Sequence, residues 1–179
     1  MIWFTGCTHL GHTNIIKHCN RPFSNVEEMD ATIIQNTNEL VGPNDILCHL
    51  GDVAWNKPAL RNYLNKLKVG NLHLILGNHD NKSDFYDYEK NYKVKILNLG
   101  YMHEMKNDYI PATTIVLCHY PLLEWNRSHY GSIHLYSHSH GRLNHPNPKA
   151  IDVSVDAWNF KPVSITQINH KVYEKCNAG

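Results

Sequence analysis

In Leu74-Ile75-Leu76-Gly77-Asn78-His79-Asp80 an apolar run ends at a glycine, and three polar side chains follow it. The apolar run is typical of a buried strand that is closed by a turn. Gly77 allows the backbone to turn sharply and to approach a ligand closely. Because open α/β sheets bind their ligands at the carboxyl ends of the strands, the stretch predicts a functional site here. A polar surface turn explains a single ending of this kind at least as well. The choice between a turn and a functional site therefore depends on how the other strands end.

The composition excludes several classes of protein. With 179 residues the chain is long enough for one domain, 1–179, that buries a core of its own. A net charge of +1 argues against a broad surface for duplex nucleic acid. No apolar run approaches the roughly 20 residues of a membrane helix, and the N-terminus begins as a strand and not as a signal peptide. We therefore expect a cytoplasmic protein without a membrane partner, in which the five cysteines are free thiols.

Apolar periodicity predicts strands and helices that alternate early in the chain, with more strands later. Strands are predicted over residues 2–6, 45–50, 72–76, 94–97, 101–105, 114–118, 133–136 and 151–155. Helices are predicted over 14–18, from Ser24 to about 41, over 58–67, and from Ser164 to about 174. Ser24 and Glu27 form a capping box, and Asn98-Leu99-Gly100 predicts a hairpin between its neighbours. The order of elements predicts an α/β fold of two packed sheets with helices outside.

Five of the predicted strands end in residues that can bind a metal ion. They are Cys7 and His9, Asp52, Asn78 and His79, His119, and His138 with His140. Imidazole and carboxylate groups suit Zn, Fe, Mn or Ni. The set is too large for a closed structural site of four ligands, and the Asp52 carboxylate can bind two ions at once. The pattern therefore indicates a pair of metal ions, which in phosphoryl-transfer enzymes lie about 3.5–4 Å apart; the alternative is five unrelated surface turns.

In chain order these motifs read Cys-x-His, Gly-Asp, Gly-Asn-His-Asp, His and Ser-His-x-His. They resemble the motifs of the calcineurin-like metallophosphoesterases, whose usual pattern starts with Asp-x-His and ends with Gly-His-x-His. The resemblance extends from about Trp3 to His140, continues weakly through 151–163, and is closest to the small stand-alone members of bacteria and phages. It implies a four-layer αββα sandwich, in which two mixed β-sheets are flanked by helices.

The resemblance also implies a role for each motif residue. One metal ion would be held by Cys7, His9, Asp52 and His140, and the second by Asp52, Asn78, His119 and His138. His79 would not bind metal. It would protonate the leaving oxygen or stabilise the charge on the phosphate, and Asp80 would orient its ring. The nucleophile would be a hydroxide between the two ions.

The activity that the resemblance implies is metal-dependent hydrolysis of a phosphoester, a diester in preference to a monoester. A small phosphorylated substrate is expected, such as a nucleotide, a cyclic nucleotide or a nucleic-acid end. Two alternatives stay open: a non-catalytic or weakly active metal-binding scaffold of the same fold, and a single-strand nuclease. The scaffold is disfavoured because His79 is present, and the nuclease because Lys and Arg are not in marked excess.

Two residues depart from the family pattern. Cys7 replaces its first aspartate, and Ser137 replaces a glycine. A thiolate ligand would favour Zn or Fe over Mn. If Cys7 is a poor ligand, the first site would be weak, or the metal centre would serve binding only. His12 could reach this end of the site, although a histidine at a helix start is more often merely exposed.

Residues outside the motifs could bind the substrate. Arg21 and Arg127 are candidate phosphate ligands, since a guanidinium matches phosphate bidentately; in such a position, however, an arginine is more often an ordinary surface residue. Trp55, Trp125 and Tyr120 follow motif strands and could either stack on a base or pack at the rim of the site.

Overall fold

A computed structural model describes residues 1–86, 94–107 and 113–177 of the chain, and these residues form two β-sheets with helices. The strands are β1 Ile2–Thr5, β2 Ile46–Leu50, β3 Asn71–Ile75, β4 Lys95–Gly100, β5 Met102–Asn107, β6 Thr113–Cys118, β7 Ile133–Tyr136, β8 Ala150–Asp152 and β9 Val163–Ser164. The helices are α1 Thr13–His18, α2 Val26–Leu40, α3 Lys57–Lys66, α4 Lys82–Tyr86 and α5 Ile165–Asn177, with 3-10 turns at Ser128–Tyr130 and Val155–Ala157. Within the described ranges, no helix combines the length and the apolar character that crossing a bilayer requires.

Both sheets are mixed. The first has the strand order β4-β3-β2-β1-β9, in which β1 to β4 are parallel and β9 runs antiparallel to β1. The second has the order β5-β6-β7-β8, in which β6 to β8 are parallel and β5 runs antiparallel to β6. The structure therefore confirms the predicted α/β fold of two mixed sheets with helices.

The strand β2 shows how the sequence builds two packed layers. Successive side chains of a strand point to opposite faces. Leu47 accordingly belongs to the core under α2 and α3, whereas Cys48 and Leu50 belong to the core between the two sheets. On the outer face of the second sheet, Trp125 packs against the strands. The helix α5 contacts β8, β9 and β1 at one side of the sandwich.

The ends of two helices follow local side-chain chemistry. The cap of α2 lies one residue later than predicted: Asn25 Oδ1 accepts from Glu28 N at 2.8 Å, and Glu28 Oε2 accepts from Ser24 N at 2.8 Å. The start of α5 is as predicted, because Ser164 Oγ accepts from Gln167 N at 3.3 Å and Gln167 Oε1 accepts from Ser164 N at 2.9 Å. Each helix therefore begins where one side chain satisfies a free backbone N–H group.

The hairpin predicted around Asn98-Leu99-Gly100 is wrong. β4 pairs in parallel with β3 in the first sheet, and β5 pairs antiparallel with β6 in the second. Gly100 has φ +82, a left-handed conformation that costs glycine no steric penalty, and the chain passes there from one sheet to the other. Residues 81–91 have an ambiguous sequence pattern; α4 covers their first part, and the part from 87 onward lies outside the described residues.

Candidate metal centre and active site

The loops that follow β1 and β2 run side by side at the carboxyl ends of these strands. Cys7 N donates to Gly51 O at 2.9 Å, and His9 N donates to Asp52 O at 3.0 Å. Four predicted ligands have positive φ, namely Cys7 at 50, His9 at 50, Asp52 at 55 and His140 at 51. Such strain persists in non-glycine residues only where the surrounding structure enforces it, and it concentrates at functional sites. The backbone therefore marks this edge of the sandwich as a site.

The four residues predicted for the second ion meet beyond the end of β6. His119 Nε2 lies 3.0 Å from Asn78 Oδ1 and 3.0 Å from His138 Nδ1. It also lies 3.5 Å from Asp52 Oδ2. Two atoms that bind one ion at about 2.1 Å lie roughly 3.0–3.5 Å apart. The spacing of these side chains is therefore that of ligands around one ion.

The donors and acceptors in this group fit a cation. His119 Nδ1 donates to Leu50 O at 2.8 Å, and in the neutral tautomer that this bond selects Nε2 carries the lone pair. The oxygens Asn78 Oδ1 and Asp52 Oδ2 near Nε2 are acceptors as well. A metal ion would satisfy lone pairs that face one another in this way. Asn78 and His138 are exposed, so a substrate could reach an ion held here.

The residues predicted for the first ion also lie together, and a buried nitrogen among them lacks a partner. The ligand atoms of Cys7, His9 and His140 lie within 4.8 Å of one another. Within the described part of the chain, His9 Nε2 is buried and accepts no hydrogen bond. Burial lowers the pKa of His9 to about 2, so the imidazole is neutral and its lone pair is free. A metal ion would satisfy this atom.

Asp52 lies between the two groups of ligands. Its Oδ2 is 3.5 Å from His9 Nε2 and 3.5 Å from His119 Nε2. Its Oδ1 accepts from His79 N at 2.9 Å, and the side chain is 2% exposed. This position suits a carboxylate that is shared by two ions, because one oxygen faces an imidazole of each group.

Cys7 is placed as a ligand but is not ionised on its own. Its thiol is fully buried, and Sγ donates to Ser137 Oγ at 3.6 Å. Burial raises the pKa of the thiol to about 11. Because metal ligation requires the thiolate, a bound cation would have to displace the proton. Cys7 therefore couples the filling of the first site to loss of a proton.

Asp80 supports the site in a different way from the one predicted. Its carboxylate does not turn toward the ring of its neighbour His79. It accepts from Asp52 N at 2.7 Å, from Gly77 N at 2.9 Å and from Val53 N at 3.0 Å. Asp80 thus ties the loop after β3 to the loop after β2. The approach is so close that a Cβ on Gly77 would collide with the Asp52 carboxylate, which is why this turn needs glycine.

The His79 ring lies at the rim of the site and outside the clusters of ligand atoms found among the described residues. The side chain is exposed. Its ring centroid is 5.5 Å from that of His9 and 5.3 Å from that of Trp55. Its backbone is held by the bond to Asp52, so the ring has a defined place beside the first group of ligands. This arrangement agrees with a residue that meets the substrate and not the metal.

Arg21, a predicted phosphate ligand, faces inward. Its side chain is 0% exposed, and Nε and Nη2 each donate to a carboxylate oxygen of Asp156 at 2.8 Å. Nη1 also donates to Thr8 O at 2.9 Å, and Nη2 to Cys7 O at 2.8 Å. These donors are committed to protein atoms, so the structure corrects the prediction. Arg21 therefore stabilises the loop that carries Cys7, and it is not available to bind phosphate.

Asp156 is a site residue that the sequence reasoning missed. Its Oδ2 accepts from His140 Nδ1 at 2.7 Å, which leaves Nε2 of that ring for a metal. Burial alone would lower the pKa of His140, but hydrogen bonds to Asp156, Cys19 and Cys7 outweigh it and raise the pKa. The sequence did carry a signal for Asp156: it directly follows the predicted strand 151–155, and the other candidate ligands also follow predicted strands.

A third cluster of ligand atoms and the candidate Trp125 both have structural partners. Cys19, His140 and Asp156 have ligand atoms within 4.8 Å of one another. Arg21 already holds Asp156, and Arg142 Nη2 donates to Cys19 Sγ at 2.9 Å, so this trio is not a separate cation site. Trp125 is buried and its indole donates to Ser132 Oγ at 2.9 Å, which identifies it as a packing residue.

Three other candidates are exposed to solvent. Trp55 is 50% exposed and Tyr120 is 44% exposed, and both rings contact histidines of the site. Arg127 is exposed and precedes the 3-10 turn Ser128–Tyr130 with φ 61. Its role as a phosphate ligand stays a prediction.

A sandwich of two mixed sheets, with His, Asp, Asn and Cys side chains gathered at the strand ends, defines a class of metal-dependent hydrolases. The model of the calcineurin-like phosphoesterase family matches residues 1–168. The chain belongs to this family, and it is a metal-dependent phosphoesterase whose family implies divalent metal ions.

Similar proteins occur in an archaeon and in phages. The chain is 36% identical over 177 residues to the protein MJ1445 of Methanocaldococcus jannaschii, covering 93% of this chain and 88% of that protein. It is 28% identical to the gene 66 protein of Mycobacterium phage D29, covering 88% of each. The crystal structure of AQ665 from Aquifex aeolicus matches with a TM-score of 0.74 over 95% of this chain and 98% of that one. At 22% identity this last match shows the fold alone.

Proposed function

We propose that the chain hydrolyses phosphodiesters at a centre of two metal ions. The ligands would be Cys7, His9, Asp52 and His140 for the first ion and Asp52, Asn78, His119 and His138 for the second. The observation that carries the proposal is the position of Asp52 Oδ2, 3.5 Å from an imidazole nitrogen of each group. When bound, such ions act as Lewis acids on phosphoryl oxygens and make water nucleophilic near neutral pH. The thiolate of Cys7 favours Zn or Fe in the first site.

His79 is proposed as the group that protonates the leaving oxygen. It is an exposed imidazole beside the proposed ligands. The hydrogen bond from its backbone N–H to Asp52 fixes the position of the backbone from which the side chain extends. A proton donor placed at the leaving oxygen accelerates such reactions about 10²–10⁴-fold. Asp80 contributes by fixing the backbone of Asp52, and Asp156 by holding the His140 ring in one tautomer.

Two features support a diester in preference to a monoester and a nucleotide-type substrate among the diesters. A phosphodiester carries one negative charge, whereas a phosphomonoester carries up to two. The Arg21 guanidinium could have neutralised the second charge of a monoester, but it is paired with Asp156. The half-exposed ring of Trp55, beside His79, could hold a base. The substrate is therefore proposed to be a small nucleotide-type diester, a cyclic nucleotide or a nucleic-acid end; a cytoplasmic location stays a prediction of the sequence.

The test is elemental analysis of the purified protein together with turnover of two chromogenic esters. We expect two ions per chain, and faster hydrolysis of bis-p-nitrophenyl phosphate than of p-nitrophenyl phosphate, with Mn, Zn and Ni each supplied in turn. Faster hydrolysis of the monoester would overturn the diester preference. Bound metal without turnover of either ester would favour a binding scaffold, which the buried, protonated thiol of Cys7 makes the second candidate.

A further inference from the structure

A stacked pair of aromatic rings lies on the rim of the site. The rings of Trp55 and His12 are 3.9 Å apart between centroids and inclined by only 18°. The backbone holds the pair in place, since Trp55 N donates to Leu10 O at 2.8 Å and Leu10 forms a β-bridge with Ala54. The indole is nevertheless 50% exposed. One face of it is stacked on an imidazole, and half of the residue is open to solvent.

The pair lies on the side of the site where the leaving group would depart. The His79 ring is 5.5 Å from the ring of His9, a proposed ligand of the first ion, and 5.3 Å from the indole of Trp55. The His79 ring is therefore a neighbour of both His9 and Trp55, and His12, 5.7 Å from the ring of His9, completes the group. The other half-exposed ring, Tyr120, is 5.0 Å from His119 and belongs to the second group of ligands.

We propose that Trp55, backed by His12, is a stacking surface for a flat aromatic group on the leaving oxygen, and that the preferred leaving group is a nucleoside. The inference rests on the proposed function, in which His79 gives its proton to that oxygen. Whatever the oxygen carries must then lie beside His79, and the half-exposed indole of Trp55 is the aromatic neighbour of that ring. A nucleobase has a π-face that an indole can stack on whatever the base. Because His12 already holds the indole, little side-chain freedom is lost on binding.

Binding of two matched phosphates tests the proposal without any need for turnover. Adenosine 5′-monophosphate and ribose 5-phosphate carry the same phosphate and sugar, and only the first carries a base. Calorimetry on the Zn-loaded protein should show that the nucleotide binds at least about fivefold more tightly, the lower limit for one stacked base. Trp55→Phe should retain most of this preference, and Trp55→Ala should reduce it to less than about twofold.

Tyr120→Ala is the matched control, since it removes the other half-exposed ring. It should leave the preference for the nucleotide unchanged. Equal binding of the two phosphates by the native protein would overturn the proposal, and so would a preference that survives Trp55→Ala or disappears in Tyr120→Ala. Tryptophan fluorescence checks the folded native protein independently: the nucleotide should quench a component that Trp55→Phe lacks, and ribose 5-phosphate should not. Base-dependent binding without hydrolysis of any ester would refute the proposed function and leave the stacking site standing.

Discussion

The substitution Asp156→Asn tests whether the buried ion pair with Arg21 holds the first metal site together. The carboxylate accepts two bonds from Arg21 at 2.8 Å and one from His140 Nδ1 at 2.7 Å. Asparagine keeps the shape and one acceptor oxygen, but it removes the charge. It leaves the guanidinium buried without its counter-ion and gives the His140 ring a weaker, uncharged partner.

The expected size of the effect follows from burial. Loss of one partner from a buried ion pair costs about 3–5 kcal/mol. Arg21 would retain its bonds to Cys7 O and Thr8 O, so we expect the lower end, about 3 kcal/mol of unfolding free energy. Loss of the group that orients a metal-binding histidine weakens metal affinity roughly 10- to 100-fold. Urea unfolding with chelator present measures the first quantity, and calorimetric titration with Zn²⁺ measures the second.

A matched control is Asp45→Asn. Asp45 pairs with the N-terminal ammonium at 2.6 Å, but the Met1 side chain is 41% exposed and that of Asp45 is 22% exposed. A pair open to solvent contributes less than about 1 kcal/mol, and this one lies outside the ligand loops, so Zn²⁺ affinity should not change. The reasoning is refuted if Asp156→Asn has the same unfolding free energy and the same Zn²⁺ affinity as the native protein. It is also refuted if the two variants lose equal stability.

Three further predictions concern protons and ligands. Burial lowers the pKa of His49 to about 3 and that of His134 to about 4. From about pH 6 down to about pH 4.5 the unfolded chain therefore binds a proton at each of these two histidines that the folded chain does not. Together they should contribute a fall of about 2.7 kcal/mol per pH unit to the unfolding free energy of the metal-free protein. Urea titrations in which His134→Gln leaves the slope of the native protein unchanged would contradict burial of a neutral imidazole. His79→Ala should reduce diester hydrolysis about 10²–10⁴-fold with metal content unchanged, and elemental analysis that finds metal lost would identify His79 as a ligand. Cys7→Asp should retain or raise activity with Mn, because a carboxylate suits Mn better than a thiolate does; loss of all activity would assign the thiolate a specific role.

The positions of the metal-competent residues were predictable because their signal is local. A buried strand reads as an apolar run, and a polar turn directly after it marks the strand end. Parallel pairing then brings such ends to one edge of each sheet, and packing of the two sheets brings Cys7 and Asp52 together with His119 and His140. The α/β fold with two sheets followed from the same pattern of elements.

The partners of individual side chains were not predictable in this way. Arg21 and Asp156 are 135 residues apart in the chain, and neither lies in a motif, so nothing local distinguishes this arginine from one that binds phosphate. Asp80 is adjacent to His79, which suggested that it orients that ring, but in the folded chain the backbone N–H groups of Asp52 and Val53 lie within its reach.

Local sequence is enough to show which strands end in metal-competent residues, beginning with Gly77-Asn78-His79-Asp80, because burial and turn chemistry act over a few neighbouring residues. Strand pairing and the partner of each buried charge depend on the folded chain as a whole. β4 and β5 flank Gly100, yet they belong to different sheets. The physical reason is the same in each case: a strand edge or a buried guanidinium is satisfied by whichever group the whole fold brings to it, and that group lies far away in the chain.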